Sequence, residues 1–166
     1  MALLYLIGLL SLLISCPVPL KAAPPVSRSI LFERAVACVK HFEGWHTARN
    51  HPYIGYGHKL LPGEKLDSNL TKAQGDSLLR ADLRKRWITF RRFGKDALLL
   101  AVLSYNVGES KLLGYGKVPK SNLIRKLEKG DRNIYREYIS YRKYKGKVVH
   151  SIERRRKHEF VLLHIP

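Results

Sequence analysis

Apolar residues recur at helical spacing along most of the chain after residue 28. Ser29 to Phe42 sets Leu31, Ala35, Cys38, Val39 and Phe42 on one face, and Gly44 is a natural stop, so the pattern predicts a helix there. Thr71-Lys72-Ala73-Gln74 is a capping-box signature. It opens a second predicted helix to about Phe93, with Leu79, Leu83 and Trp87 on one face and Gly94 at its end. Asp96 to Val107 is almost wholly apolar, and a helix apolar all round is buried, so this segment is expected to be the central core helix. Ser121 caps a short helix through Leu127, ended by Gly130, and Asp131 caps another through Tyr141. Tyr144-Lys145-Gly146-Lys147 reads as a loop, and Ser151 starts a last helix to Leu163.

The helical period fails between residues 45 and 58. There Pro52, Gly55 and Gly57 separate Tyr53, Ile54 and Tyr56, a pattern of a short hairpin or irregular loop, and Leu61-Pro62-Gly63 is a turn. Residues 29–166 therefore read as one mostly α-helical α+β domain with a small β element near its amino-terminal side. No internal repeat is present.

Residues 2–14 are apolar and uncharged, too short to span a bilayer comfortably, and read as the apolar part of a secretory signal, although no Lys or Arg precedes them. Leu13-Ile14-Ser15-Cys16 resembles a lipobox, so the signal ends either before Cys16, leaving a lipid-modified cysteine as a membrane tether, or near Ala23. Residues 24–28 are a short tether in a proline-rich stretch. The expected location is the bacterial cell envelope. Cys38, then alone, is expected to be a small buried hydrophobe, and a monomer without disulfides is the default.

The chain of 166 residues carries 31 Lys+Arg against 13 Asp+Glu, a net charge of +18. The excess is steepest late: residues 111–166 hold 16 basic and 5 acidic side chains, a net of +11. Such a field favours polyanionic partners, namely anionic wall, anionic lipid or nucleic acid, and export argues against the last. Arg154-Arg155-Arg156-Lys157 reads as a solvated helix face with one or two arginines paired to Glu159, and with Lys143, Lys145 and Lys147 it forms a basic patch.

The candidate chemistry centres on Glu43. It closes the first predicted helix, between Phe42 and Gly44-Trp45. Aromatic surroundings and the negative end of a helix dipole both disfavour the ionised carboxyl, and a carboxyl kept protonated near neutral pH is what glycosidic cleavage needs. A lone Glu at a helix end is ordinarily a solvated surface residue, so its neighbours decide the matter.

Those neighbours form a series. His41-Phe42-Glu43-Gly44 followed by Tyr53-Ile54-Gly55-Tyr56-Gly57-His58 resembles the phage-type lysozymes (endolysins, muramidases), in which a Glu-Gly pair closes the first helix and a Thr-Ile-Gly-Tyr-Gly-His strand follows. Ser104-Tyr105-Asn106-Val107-Gly108 is similar to the family's Phe-Asn-x-Gly segment. Residues 122–131 and 151–159 resemble its Ser-Thr-Leu-x-x-x-Leu-Asn-x-Gly-Asp and Gly-Leu-x-x-Arg-Arg-x-x-Glu segments. The resemblance implies a two-lobed helical fold with a small β lobe and a cleft. It implies peptidoglycan glycan strands as substrate, cut at the β-1,4 bond between N-acetylmuramic acid and N-acetylglucosamine, with Glu43 protonating the leaving oxygen and no cofactor.

The chain departs from that pattern where the family places an Asp or Cys and then a Thr. Tyr53 stands at the Thr position, and Gly44 to Pro52 is short and holds no Asp or Cys. Glu64 or Asp67 could supply the second carboxylate, and Thr47 could position a water. Alternatively Glu43 acts alone, as in lytic transglycosylases, where a muramyl hydroxyl is the nucleophile; or the chain binds wall glycan without cutting it. His58, Asn106, Tyr56 and Trp45 are the candidate sugar-binding residues, with a helix-ending cap as the other reading of Asn106. His41, His46, His51 and His58 invite a zinc reading, but spacings of five and seven fit neither one helix face nor a zinc motif, so no metal is expected.

Overall fold

A computed structural model describes residues 27–166; the expected export segment, Cys16 and most of the tether lie outside the described residues. The first helix, α1 (Arg28–Glu43), starts where the Ser27 hydroxyl accepts from the Ile30 amide. It stops at Gly44, whose φ of 67° lets its amide reach the Lys40 carbonyl. Its inner face buries Leu31, Phe32, Ala35, Val36, Cys38 and Val39. Burial pushes the Cys38 thiol up to about 12, so it packs as a hydrophobe.

A 3₁₀ turn (Ala48–Asn50) leads to β1 (Tyr53–Ile54), which pairs antiparallel with β2 (His58–Lys59). A bridge from His46 to Gly55 extends this small sheet. Helix α2 (Lys72–Thr89) opens on the expected capping box, Thr71 and Gln74 exchanging hydrogen bonds with each other's amides. It ends earlier than the pattern predicts. Residues 91–96 tighten to 3₁₀ geometry before Gly94 (φ 54°) turns the chain into α3 (Ala97–Val107).

Helix α3 is the core, as its composition demands. Every residue from Ala97 to Ser104 is buried, and each buried leucine removes enough surface from water to stabilise the fold by about 1.5–3 kcal/mol. Helix α2 packs along α3, and α7 (His150–Leu163) packs on α1 and α3. Three short helices complete the larger lobe: α4 (Ser110–Leu113), α5 (Asn122–Glu128) and α6 (Tyr135–Ile139).

The late part of the chain corrects three expectations. Helix α4 has no predicted counterpart, because four residues between two glycines are too few to show a period. The helix expected from Asp131 begins only at Tyr135, because Asp131 accepts from the Asn133 amide in a local turn that competes with helix. The loop expected around residues 144–147 is a second hairpin, β3 (Lys143–Tyr144) with β4 (Lys147–Val148). Lys145 (φ 48°) and Gly146 (φ 79°) form its turn, a primed geometry whose usual Asn-Gly signal the sequence lacks. The fold is a mostly helical α+β domain.

The joint between hairpin and helices depends on Gly75, buried within α2. A β-carbon there would stand 2.6 Å from the Trp45 ring. Alanine favours a helix over glycine by about 1 kcal/mol, but overpacking a rigid indole costs about 1–3 kcal/mol. Gly75→Ala is therefore expected to lower stability in a denaturant melt, whereas Ala73→Gly, exposed two residues earlier, should show the ordinary propensity loss.

Candidate active site

Glu43 is the last residue of α1, and its side chain is 16% exposed. Arg155 Nη1, from α7, donates to Glu43 Oε1 at 2.9 Å. The other oxygen, Oε2, faces the β1–β2 turn, where a β-carbon on Gly57 would come within 3.4 Å of it. Gly57 has φ +93°, so both the turn and the close approach require glycine. The aromatic neighbour Phe42 lies beneath the Arg155 guanidinium at 5.5 Å. Sequence reasoning placed apolar surface beside the acid; the structure adds a cation in direct contact with it.

Arg155 is held by Glu159, four residues on along the same helix, through Nε to Oε1 at 2.8 Å. Glu159 is fully buried and also accepts from Arg156 Nη1 at 2.6 Å and the Tyr138 hydroxyl at 2.8 Å. Arg156, fully buried too, extends Nη2 to Asn106 Oδ1 at the end of α3. The expected pairing of one or two arginines with Glu159 is thus met by Arg155 and Arg156, while Arg154 and Lys157 are exposed. Asn106 is exposed and is not the cap, because α3 ends on Gly108 (φ 88°). Burial and the nearby Glu159 charge keep the Tyr138 hydroxyl protonated, well above its ordinary value.

The β1–β2 hairpin is fixed from its other side. His58, on β2, is buried, with Nδ1 2.7 Å from Asp82 of α2 and Nε2 3.1 Å from Glu64. Both ring nitrogens are therefore engaged within the protein. Burial alone would lower the His58 pKa, but the two carboxylates outweigh it and raise it above 6.5. Glu64 Oε2 also accepts from the Leu61 amide at 2.8 Å, and that bond, with His58, holds its carboxyl below the usual range.

Trp45 and Tyr56 meet edge to face at 5.0 Å, and Lys72 Nζ sits 3.7 Å over the indole. The Tyr105 hydroxyl donates to the Tyr56 carbonyl at 2.9 Å, which ties the hairpin to the end of α3. Tyr53 and Thr47 lie together elsewhere on the small lobe. They line a hollow of about 300 Å³ with His51, Ile54, Leu66 and Asp67. Thr47 is exposed and starts the 3₁₀ turn with Asn50.

The structure thus brings Glu43, Tyr56 and Asn106 into one connected region, puts Tyr53, Thr47 and Asp67 into a second, and commits Glu64 to His58. Among the described residues no cluster of three His, Cys, Asp or Glu side chains is arranged to hold a metal. Sequence reasoning missed Arg155 as the partner of Glu43, Asp82 as the partner of His58, and the Tyr105 tie. The Arg155–Glu159 spacing was a readable signal; residues 24 or 49 positions apart offered none.

Two outcomes follow from these geometries. Glu159→Ala leaves buried Arg156 without its carboxylate, and breaking a buried pair from one side costs about 3–5 kcal/mol, to be read as a lowered denaturation midpoint. His58 has a folded pKa raised above its unfolded value, so its contribution is full below 6.5 and fades as pH rises through the folded value. The melting temperature should fall over that alkaline step, and His58→Gln should remove that step.

Comparison with known proteins agrees with this architecture. The family model for phage lysozyme matches residues 40–159. Among solved structures, the muramidase domain of SpmX from Asticaccaulis excentricus superposes with a TM-score of 0.63 at 23% identity, covering 86% of this chain and 99% of that one. A search of curated proteins finds no significant match. The matched segment begins just before Glu43, ends on Glu159 and spans both sides of the site between them, and by that match the chain belongs to the phage lysozyme family.

Proposed function

We propose that the chain is a peptidoglycan glycosidase that cuts the β-1,4 bond between N-acetylmuramic acid and N-acetylglucosamine, with Glu43 as the general acid. The supporting observation is the setting of the Glu43 carboxyl. Arg155 takes one oxygen, and the other lies against the glycine backbone of the hairpin. In this reading Glu43 Oε2 delivers a proton to the glycosidic oxygen as the bond from that oxygen to the sugar C1 breaks. A water then adds to C1, its proton passing to the Glu43 carboxylate, and leaves a reducing muramic end. Asn106 and the Tyr56–Trp45 pair border the glycan. The chain acts as a monomer without a cofactor, after export to the cell envelope.

A second reading rests on a specific observation. Residues 44–52 hold no carboxylate, and Glu64 is bound to His58 and the Leu61 amide. A transglycosylase needs no second carboxylate, because the muramyl hydroxyl attacks C1 and closes an anhydro ring. Glu43→Gln is nearly isosteric and keeps a hydrogen-bond acceptor for Arg155. It should reduce muropeptide release from purified sacculi by about 10²–10⁴-fold with the fold intact by circular dichroism. Unchanged release would remove Glu43 from the reaction. Mass spectrometry of the wild-type products separates the two chemistries: reducing ends mean hydrolysis, anhydro ends mean transglycosylation.

A further inference from the structure

Two turns on the larger lobe share an arrangement that the glycosidase reading does not use. The first joins α4 to α5 and runs Tyr115-Gly116-Lys117-Val118; the second is the β3–β4 hairpin, Tyr144-Lys145-Gly146-Lys147-Val148. In each, an exposed Tyr and an exposed Val flank a positive-φ glycine and lysine. Tyr115 is 81% exposed and Tyr144 62%, while Val118 and Val148 are 44% and 43% exposed.

Both turns are rigid. Tyr115 and Val118 exchange backbone hydrogen bonds at 3.0 and 2.9 Å. A β-carbon on Gly114 would lie 2.7 Å from the Lys120 amide, so the base of the first turn is closely packed. In the second, Lys143 faces Val148 and Tyr144 faces Lys147 across the ladder, so each face carries one cation and one apolar group. Lys145, at the apex, is the one non-glycine residue with positive φ among the described residues. The turns rise from neighbouring ground, because Asn122 and Leu123, just after the first, line one hollow with Tyr141, just before the second.

The charge of this edge is unbalanced. Residues 110–127 and 138–152 contain no carboxylate. Of the flanking ones, Glu128 is paired with Lys120 and Arg92, Glu137 with Lys126, and Glu153 with Arg142 and Lys157, whereas Glu109 has no ion-pair partner among the described residues. Among the described residues Lys117, Lys143, Lys145 and Lys147 have no carboxylate partner.

We infer that these two turns are a pair of prongs that dock the domain on an anionic lipid bilayer. Lysines at a membrane surface gain from the negative potential of the headgroups. Tyrosine prefers the boundary between headgroup and acyl chain, where its ring is apolar and its hydroxyl wet. The two valines separate a bilayer from the other polyanions. An isopropyl group gains nothing on a hydrated glycan or on the phosphates of a nucleic acid, whereas a bilayer offers an apolar layer directly beneath its phosphates. Val149 alone joins β4 to α7, which carries Arg155, so docking would also set the height of the catalytic cleft over the membrane.

The test compares the full chain with a variant carrying Lys117→Gln, Lys143→Gln, Lys145→Gln and Lys147→Gln, all at exposed positions, by co-sedimentation with phosphatidylcholine vesicles with and without phosphatidylglycerol. The wild type is expected to partition to the anionic vesicles in a salt-sensitive way. The variant should lose that component by about a hundredfold or more while keeping its melting temperature. Attachment through the apolar amino-terminal segment would respond to neither lipid charge nor salt. A Tyr144→Trp variant should shift its fluorescence to the blue on anionic vesicles. Equal partitioning of wild type and variant, or binding with no blue shift, overturns the proposal. So does a variant that loses affinity only for sacculi or for duplex DNA, which would identify the prongs as readers of those polymers. Muropeptide release from sacculi stripped of lipid by detergent is expected to be the same for both proteins, which separates this outcome from failure of the glycosidase reading.

Discussion

The cluster of Arg155, Arg156, Glu43 and Glu159 is the interaction on which the rest of the site depends. Two guanidiniums and two carboxylates sit where the ends of α1 and α3 meet the middle of α7. Isolated, any of these charges would be costly to bury. Together they pair, and the Tyr138 hydroxyl and Asn106 satisfy further lone pairs and protons. A hydrophobic replacement could hold the helices as tightly. It could not hold a carboxyl in a fixed place at the end of α1 with one oxygen restrained, which is what the proposed role of Glu43 as an acid requires.

The same logic explains the small lobe. A two-stranded hairpin of two-residue strands has little stability of its own. It is held by what it touches: His58 between Asp82 and Glu64, the Tyr56 carbonyl under Tyr105, and Trp45 against Gly75. Apart from Glu64, which lies in the segment after β2, each tie runs to α2 or to the end of α3, and these two helices are themselves packed along each other. The position of Gly57 over Glu43 is therefore inherited from the helical core, through side chains that need not touch a substrate.

How much of this was legible in the sequence varies with the range of the interaction. Helices α1, α2, α3 and α7 announce themselves through period, caps and composition, because those signals act over three or four residues. Glu43 and Gly57 were visible as a motif. The β3–β4 hairpin was not, because Lys145-Gly146 adopts the primed turn without the residues that usually favour it. His58 was readable as a hairpin residue but not as a strut, since its partner Asp82 lies on another element and nothing in the local pattern of α2 marks it. Arg155 falls between: its spacing from Glu159 fixes one end of the side chain, and only the packing of α7 against α1 brings the other end to Glu43.

The acid lies at a contact between parts that fold by different means, and this constrains how the chemistry can vary. The Arg155 side is set by a buried charge cluster that tolerates little change. The Gly57 side is set by a short hairpin, and Thr47 before it, Tyr53 on β1 and Asp67 after it are exposed and line a hollow. The departure of this chain from the family pattern falls on that side, at Tyr53 and in the shortened segment before it, whereas the ion-pair and hydroxyl partners of Glu43 and Glu159 come from the helical frame. Under the glycosidase proposal the acid is common to hydrolysis and transglycosylation, so the reaction it completes has to be read from its products.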